Sequence, residues 1–129
     1  MPLSIFDERS ALVAGLQLIL ASGTSDNLII DTGTQDRRID SIICTSTDTI
    51  DHDVQIKVNY TSGPQVIGSV HVPAGAGYGG VAAVEGMLTL SVSPIAGILL
   101  GPGSQLFVRA LVPVTTALAV DVLVQGGTF

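Results

Sequence analysis

The residue types that carry most enzyme chemistry are sparse in this chain, and several of them cluster in one stretch. His52 and His71 are the only histidines among the 129 residues. His52 lies among Asp48, Asp51 and Asp53, and oxygen ligands at alternating positions can hold Ca²⁺. A calcium loop also needs a regular Asp-x-Asp-x-Asp-Gly pattern and a distal Glu, which this stretch lacks. The sequence therefore favours a solvated turn in which the aspartates accept hydrogen bonds from backbone N–H groups.

The two histidines do not form a recognisable metal or catalytic motif. A cupin-type metal site needs two histidines one residue apart, but Val72 and Pro73 follow His71. The chain also lacks the Gly-x-Ser-x-Gly nucleophile elbow of hydrolases. In the hairpin predicted below, His71 lies opposite Gln55 on the outward face, away from His52. We therefore expect a protein that is not an enzyme and that holds no metal or cofactor.

Residues 75–80 read Gly-Ala-Gly-Tyr-Gly-Gly, a literal G-x-G-x-x-G that follows a predicted strand. A dinucleotide fingerprint also needs a parallel βαβ unit and an acidic residue about 20 positions later. Neither accompanies this motif. The glycines more simply permit positive φ angles in a loop between strands.

Polar and apolar residues alternate most regularly between Asp51 and Val72. Apolar side chains and His52 occupy every second position up to Tyr60, Ser62-Gly63-Pro64 interrupts the pattern, and the alternation then resumes. This pattern predicts a half-buried β-hairpin with one continuous apolar face. The predicted cross-strand pairs are Tyr60 with Val66, Ile56 with Val70 and Val54 with Val72.

A second hairpin is predicted near the end of the chain, where residues 106–112 and 118–124 both alternate. Arg109 and Asp121 are the lone charges of these two strands. A turn at residues 114–116 places them directly opposite each other. We therefore expect a cross-strand ion pair between them.

Shorter strand patterns separated by turn residues cover most of the remaining chain. They occupy residues 16–20, 28–31, 38–45 (with an irregularity at Ile42-Ile43 that fits a bulge) and 98–100. A helix is the alternative for residues 11–20, and residues 81–90 suit one or two helical turns. About eight strands at this spacing predict an all-β fold, an antiparallel β-sandwich or jelly roll with at most one short helix.

The chain length suits one domain, which we place at residues 11–129. Residues 1–10 show no sustained period and are predicted to form an N-terminal arm. Ile5 and Phe6 form an adjacent apolar pair in this arm, and a solvated tail has little reason to carry such a pair. We therefore expect the arm to bury them, either on a neighbouring subunit or over the open end of its own sandwich.

The composition favours contacts between protein subunits. Apolar residues make up 47% of the chain and charged residues 12%, whereas roughly 25% charged is usual. We expect the surplus apolar surface to lie in the interface of a dimer or trimer. The net charge of -6 argues against a nucleic-acid partner. The single cysteine, Cys44, is expected in the core.

Neither a membrane span nor a secretion signal is predicted. No run approaches the roughly 20 apolar residues that cross a bilayer. Residues 11–21 are apolar, but Asp7, Glu8 and Arg9 precede them, where a signal peptide carries net positive charge.

Several segments resemble small structural proteins of tailed bacteriophage virions, in particular capsid decoration (cement) proteins. The resemblance spans residues 36–129. It rests on RIDSIICT at 38–45, DVQIKV at 53–58, VPAGAG at 72–77, LLGPG at 99–103 and VDVLVQGGTF at 120–129.

The resemblance implies a β-sandwich or jelly-roll protein that self-associates and binds the major capsid protein on the outside of a phage capsid. It places the chain in the virion, where it stabilises the shell. Ile5, Phe6 and Tyr78 are the residues that we expect at interfaces. The alternatives are a component of the phage tail, baseplate or head–tail connector, and a carbohydrate-binding, lectin-like jelly roll. The lectin is disfavoured because the chain has no Trp and only Tyr60 and Tyr78 to stack on sugars.

Overall fold

Nine strands and one helical turn form the regular structure of the chain in the computed structural model, which describes residues 10–59, 63–89 and 97–128. The strands are β1 (Ser10–Leu18), β2 (Asn27–Asp31), β3 (Arg37–Ser46), β4 (His52–Asn59), β5 (Pro64–Val72), β6 (Val84–Glu85), β7 (Ile98–Leu100), β8 (Gln105–Ala110) and β9 (Val120–Thr128). The helical turn α1 spans Gly86–Thr89. The prediction of a nearly all-β chain is confirmed. No helix in the described ranges is long and apolar enough to cross a membrane.

The strands form two antiparallel sheets that face each other as a β-sandwich. Sheet A has the order β1-β9-β3, and the short strands β6 and β7 both pair with the far side of β3. Sheet B has the order β2-β8-β4-β5. Most of the long strands alternate buried and more exposed residues, because successive side chains of a strand point to opposite faces. In β5 the alternation is confined to its second half, since residues 64–67 are all exposed.

The core lies between the two inner faces. Its largest contributions are Ile39, Ile42, Cys44, Val122 and Val124 from sheet A, and Val54, Ile56, Val70, Leu106 and Val108 from sheet B. Cys44 lies inside this core, as expected from its sequence context. Burial, and to a smaller extent the negative charge of Glu85, raises the pKa of its thiol to about 12, so the thiol stays protonated at neutral pH.

The predicted hairpin of β4 and β5 forms, but its predicted register is wrong. Val54 pairs with Val70 and Ile56 with Gly68, two positions away from the expected pairs. A bulge between Ile56 and Lys57 then shifts the ladder, so that Val66 pairs with Lys57 and faces solvent. The turn was misplaced because Pro64 reads as a loop residue. It begins β5 instead, a position where a strand needs no N–H donor.

The predicted hairpin of the last two strands does not form. β8 lies between β2 and β4 in sheet B, and β9 lies between β1 and β3 in sheet A. Arg109 therefore pairs with Gln55, and Asp121 lies between Gln17 and Thr45. The expected ion pair between Arg109 and Asp121 is wrong, because residues 111–119 cross from one sheet to the other.

The bulge of β3 lies between Ile39 and Ser41, not at the expected Ile42-Ile43. It lies opposite Gly126, where a Cβ atom would overlap the carbonyl oxygen of Arg38. A glycine is needed there because the two backbones approach closely.

The first strand is a β-strand and not the alternative helix, and it begins at Ser10, one residue inside the expected arm. Ile5 and Phe6 lie outside the described residues.

Val70 and Val66 allow a matched test of the two faces of β5. Val70 is fully buried, whereas Val66 is 54% exposed. Val70→Ala should lower the free energy of unfolding by about 2 kcal/mol or more, because it removes buried methyl groups and leaves a cavity. Val66→Ala should lower it by less than about 1 kcal/mol, the span of strand propensity. Urea unfolding measures both values, and equal losses would contradict the observed bulge and the exposure of Val66.

Candidate interaction surface

The outer face of sheet A, formed mainly by β1, β9 and β3, carries few charges at its centre. Its central cross-strand row joins Gly15, Leu123 and Ile43 on β1, β9 and β3. Because Gly15 has no side chain, the face is indented there by an open groove of about 590 Å³. The groove is lined by Gly15, Leu16, Gln17, Ile43, Thr45, Asp121, Val122 and Leu123. We call it the sheet groove.

A second groove of about 620 Å³ continues from the first, since Gln17 and Asp121 line both. It lies at the end of the sandwich and is lined by residues 19–21, residues 116–119, Thr47 and Tyr78. Leu20 and Tyr78 are each about half exposed. This end groove contains Tyr78, the one sequence-predicted interface residue that the structure describes.

The glycine-rich loop that carries Tyr78 is shaped by positive φ angles. These angles range from 56° to 86° at Gly75, Gly77, Gly79 and Gly80. A Cβ on Gly77 would lie 2.7 Å from Thr45 Cγ2, so the loop also approaches β3 too closely for a side chain. The loop connects antiparallel sheets and is not part of a βαβ unit. The glycines therefore serve a tight loop that holds Tyr78 at the surface.

Sheet B presents a different outer face. Lys57, Arg109, Asp53 and His71 all lie on it, and Lys57 Nζ is 3.1 Å from Asp26 Oδ1. The charged side chains described on the outer face of sheet A are Glu85, Asp121 and, at one end of β3, the ion pair of Arg38 with Asp40. Apolar contact is least costly across the row of Gly15, Leu123 and Ile43, because this row has no charge that must lose water.

The acidic stretch around His52 divides into a buried part and an exposed part. Asp48 and His52 are both buried, with His52 Nε2 2.7 Å from Asp48 Oδ2. The expectation of a solvated turn is thus wrong for Asp48, although its carboxylate does accept backbone N–H groups. It accepts the Thr49 N–H at 2.7 Å, the Thr115 N–H at 2.9 Å and the Thr115 hydroxyl at 2.6 Å.

These contacts set the charge of Asp48. Desolvation raises the pKa of its carboxyl, but hydrogen bonds from Thr115, His52 and backbone amides outweigh it and lower the pKa overall. An ionised carboxylate can only accept hydrogen bonds, so the N–H at His52 Nε2 donates the hydrogen bond to Asp48. His52 Nδ1 is buried and has no partner within the described residues. The pair has no exposed atoms for a substrate to reach, and it joins segments of the chain instead.

His71 lies on the solvent side of sheet B, between two carboxylates. Its Nδ1 is 2.9 Å from Asp53 Oδ1 and its Nε2 is 3.5 Å from Asp51 Oδ2. The hydrogen bond to Asp53, followed by the negative charges of both aspartates, raises the pKa of His71 above 6.5. His71 faces away from His52, as predicted, although its cross-strand partner is Asp53 and not Gln55. No group of three or more acidic, His or Cys side chains in the described ranges is arranged to hold a metal ion.

The sequence predicted Tyr78 as an interface residue, which stays a prediction, and it did not predict the sheet groove. A signal for the groove exists, because the outward positions of β1, β3 and β9 carry Val13, Gly15, Ile43 and Leu123 where a solvated face carries charges. Thr115 carries no comparable signal, since it is 67 residues away from Asp48.

Loss of the Asp48 carboxylate should destabilise the fold strongly. Asp48→Ala should lower the free energy of unfolding by at least about 3 kcal/mol, because several buried donors lose their acceptor. Asp36→Ala, at an exposed turn position, should change it by less than about 0.5 kcal/mol. Urea unfolding at neutral pH measures both variants. Because the pKa of Asp48 falls below 3.8 on folding, its contribution is present above that pH and is lost as the pH falls. A small effect of Asp48→Ala would contradict the network.

The stability contributed by His71 should decrease with rising pH. Since folding raises its pKa above 6.5, this contribution is fully present below pH 6.5 and is lost as the pH rises through the folded-state pKa. The difference in Tm between wild type and His71→Gln should therefore be larger at about pH 5.5 than at about pH 8.5. NMR titration of the imidazole gives the pKa directly, and Asp53→Asn should lower it. An unchanged pKa in Asp53→Asn would contradict the pairing.

Comparisons with known proteins found no match for this chain. No protein-family model matches it, no curated protein matches it, and no solved structure matches it. Its function is therefore argued from its own surfaces and fold.

Proposed function

We propose that this chain is a structural virion protein that binds the outer surface of a phage capsid as a decoration, or cement, protein and stabilises the shell. The observation that carries this proposal is the weakly charged outer face of sheet A, whose groove continues into the end groove beside Tyr78. A broad face of this kind suits attachment to another protein surface better than enclosure of a small molecule.

A property of capsids and a property of the chain support the capsid as the partner. A shell displays many equivalent sites, so modest contacts by each copy add up across the particle. The two continuous grooves also give the chain one contact region that runs from the outer face of sheet A to the end of the sandwich. Asp121 lies between the two grooves. We therefore infer that the capsid surface contributes apolar side chains with a basic group opposite Asp121.

The order of the strands supports a jelly roll as the finer description of the sandwich. β4 pairs with β5, β3 with β6 and β7, β2 with β8, and β1 with β9. These nested pairs trace one long hairpin that is wrapped across two sheets. Jelly rolls of this kind build both virus capsid proteins and lectins.

Self-association belongs to the same proposal. Only 12% of the residues are charged, and large apolar side chains are exposed on both edges of sheet A, at Val13 and Leu99. Burial of such side chains between copies is favourable, so the protein acts as a homo-oligomer. Nucleic acid is not a partner in this proposal, because the net charge is -6.

One observation favours a second candidate, a carbohydrate-binding module. Tyr78 is half exposed in the end groove together with Gln17, Thr47 and Asp121. An aromatic ring beside polar side chains is the combination that stacks on a sugar and binds its hydroxyl groups. A glycan array distinguishes this candidate, since specific binding that is lost in Tyr78→Ala would favour the lectin over the capsid protein.

Leu20 and Leu28 provide a matched test of capsid binding. Leu20 lines the end groove and is 50% exposed, whereas Leu28 lies on the outer face of sheet B and is 46% exposed. Purified protein is mixed with capsids that lack their decoration protein, and binding is followed by co-sedimentation and electron microscopy. Wild type should coat the capsids. Leu20→Lys should bind at least about tenfold more weakly, since a buried unpaired charge costs well over 1.4 kcal/mol, and Leu28→Lys should bind normally.

Three outcomes would contradict this assignment. Equal binding by the two lysine variants would remove the end groove as the contact surface. Absence of wild-type binding to capsids would overturn the decoration function. Decoration of tails or connectors in the same images would favour a tail, baseplate or head–tail connector component instead.

A further inference from the structure

We propose that the free edge of β1 pairs with β1 of a second copy, so that sheet A continues across a two-fold axis. This inference rests on the self-association in the proposed function, but it does not depend on capsid binding. It assigns the contact to one strand edge and to one register.

The edge of β1 is the least protected strand edge in the described structure. β1 is nine residues long, pairs with β9 on one side only, and contains neither a charged residue nor a proline. Its sequence, SALVAGLQL, is apolar on both faces. An uncharged, regular edge of this length presents a row of backbone N–H and C=O groups to any strand that can pair with them.

The other three sheet edges carry features that block pairing. The opposite edge of sheet A consists of β6 and β7, which are two and three residues long. β2 is five residues long and has an irregular register between Leu28 and Ile30. β5 begins with Pro64, contains a bulge, and has His71 beside the carboxylate of Asp53 near its end. Short strands, bulges, prolines and edge charges all discourage edge pairing, so β1 stands out.

The side chains of β1 select an antiparallel register centred on Ala14. A two-fold axis pairs equivalent surfaces of the two copies. The outer-face side chains of one copy lie beside those of the other only if the numbers of two paired residues add up to an even number. Centring the pair on Ala14 places Val13 opposite the partner's Gly15 on the outer face. Leu12 then lies opposite the partner's Leu16 on the inner face.

In this register, the exposed side chain of Val13 lies opposite the open space at the partner's Gly15. Val13 is 64% exposed on the outer face. Among the described residues, a Cβ on Gly15 would meet Leu123 Cδ1 at 3.8 Å and the Val122 carbonyl oxygen at 4.0 Å, both on the side of β9, which leaves the side toward the edge of β1 open. Directly opposite side chains in an antiparallel pair are about 4.5–5.5 Å apart, which brings Val13 into contact with the partner's Gly15.

The pairing also extends the proposed capsid-binding face. The sheet groove is lined by Gly15 and lies next to the free edge. Joining two copies through β1 brings their sheet grooves to either side of the axis, on one continuous sheet. The dimer therefore presents a face twice as wide as that of one copy.

Charge substitution on the two edges of sheet A tests the inference. Val13 and Leu99 are exposed to similar extents, 64% and 67%, on opposite edges. Val13→Lys should weaken dimerisation at least about tenfold in sedimentation equilibrium at micromolar concentration, because two lysines meet near the axis. Leu99→Lys should dimerise like wild type. Thermal melting of each variant under monomeric conditions verifies that it is folded.

Cross-linking locates the contact independently of affinity. In this register, Val13 and the partner's Val13 are diagonal neighbours about 7–8 Å apart. Val13→Cys should therefore be joined rapidly by a short bismaleimide, and Leu99→Cys should not. Cys44 does not interfere, because it is buried and its thiol stays protonated.

The outcomes separate this inference from the proposed function. Cross-linking at position 99 and not at 13, or a dimer that is unaffected by Val13→Lys, would overturn the β1 edge as the interface. A monomeric wild type would overturn both this edge and the proposed self-association, while leaving capsid binding to its own test. If the protein fails to bind capsids while the cross-link at position 13 forms, the β1 dimer is supported and the decoration function is overturned.

Discussion

The buried carboxylate of Asp48 is the contact on which one end of the sandwich depends. Three of the connections that cross between the sheets there meet at Asp48: β3 to β4, β5 to β6, and β8 to β9. Asp48 lies on the first, its backbone carbonyl accepts the Gly75 N–H of the second, and its carboxylate accepts Thr115 of the third. At the opposite end, the neutral hydroxyl of Thr32 joins β2 to the turn before β8. Because polar groups in these crossings are buried, each end needs internal hydrogen-bond acceptors.

The two outer faces differ in where their charges lie, and this difference gives them different roles. On sheet B, Lys57 and His71 pair with acidic side chains and Arg109 lies opposite Gln55, so this outer face stays solvated. Sheet A is left with a weakly charged face that bends into two continuous grooves. The inner faces are equally apolar and hold the fold together. The division therefore affects what the protein binds more than whether it folds.

The strand edges of the sandwich differ from one another, as its two outer faces do. A sandwich leaves four exposed strand edges, and each is a site for unwanted association unless it is short, irregular or charged. Three of the four edges have such features, and β1 does not. A long plain edge beside a weakly charged face permits copies to join side by side without covering that face. Self-association and attachment to a larger surface are then compatible within one sheet.

Alternation in the sequence determined where the strands lie and which side chains share a face, because a strand repeats every two residues whatever lies beside it. β4, β8 and β9 were predictable in this way, as was the glycine loop around Tyr78, since both signals are local. The pairing of strands was not. The bulge after Ile56 moved Val66 to the outside, β8 and β9 entered different sheets, and Asp48 became buried against Thr115. Only the tertiary structure decided these features, because strand partners and buried contacts depend on residues that are distant in sequence, and a two-residue period carries no information about them.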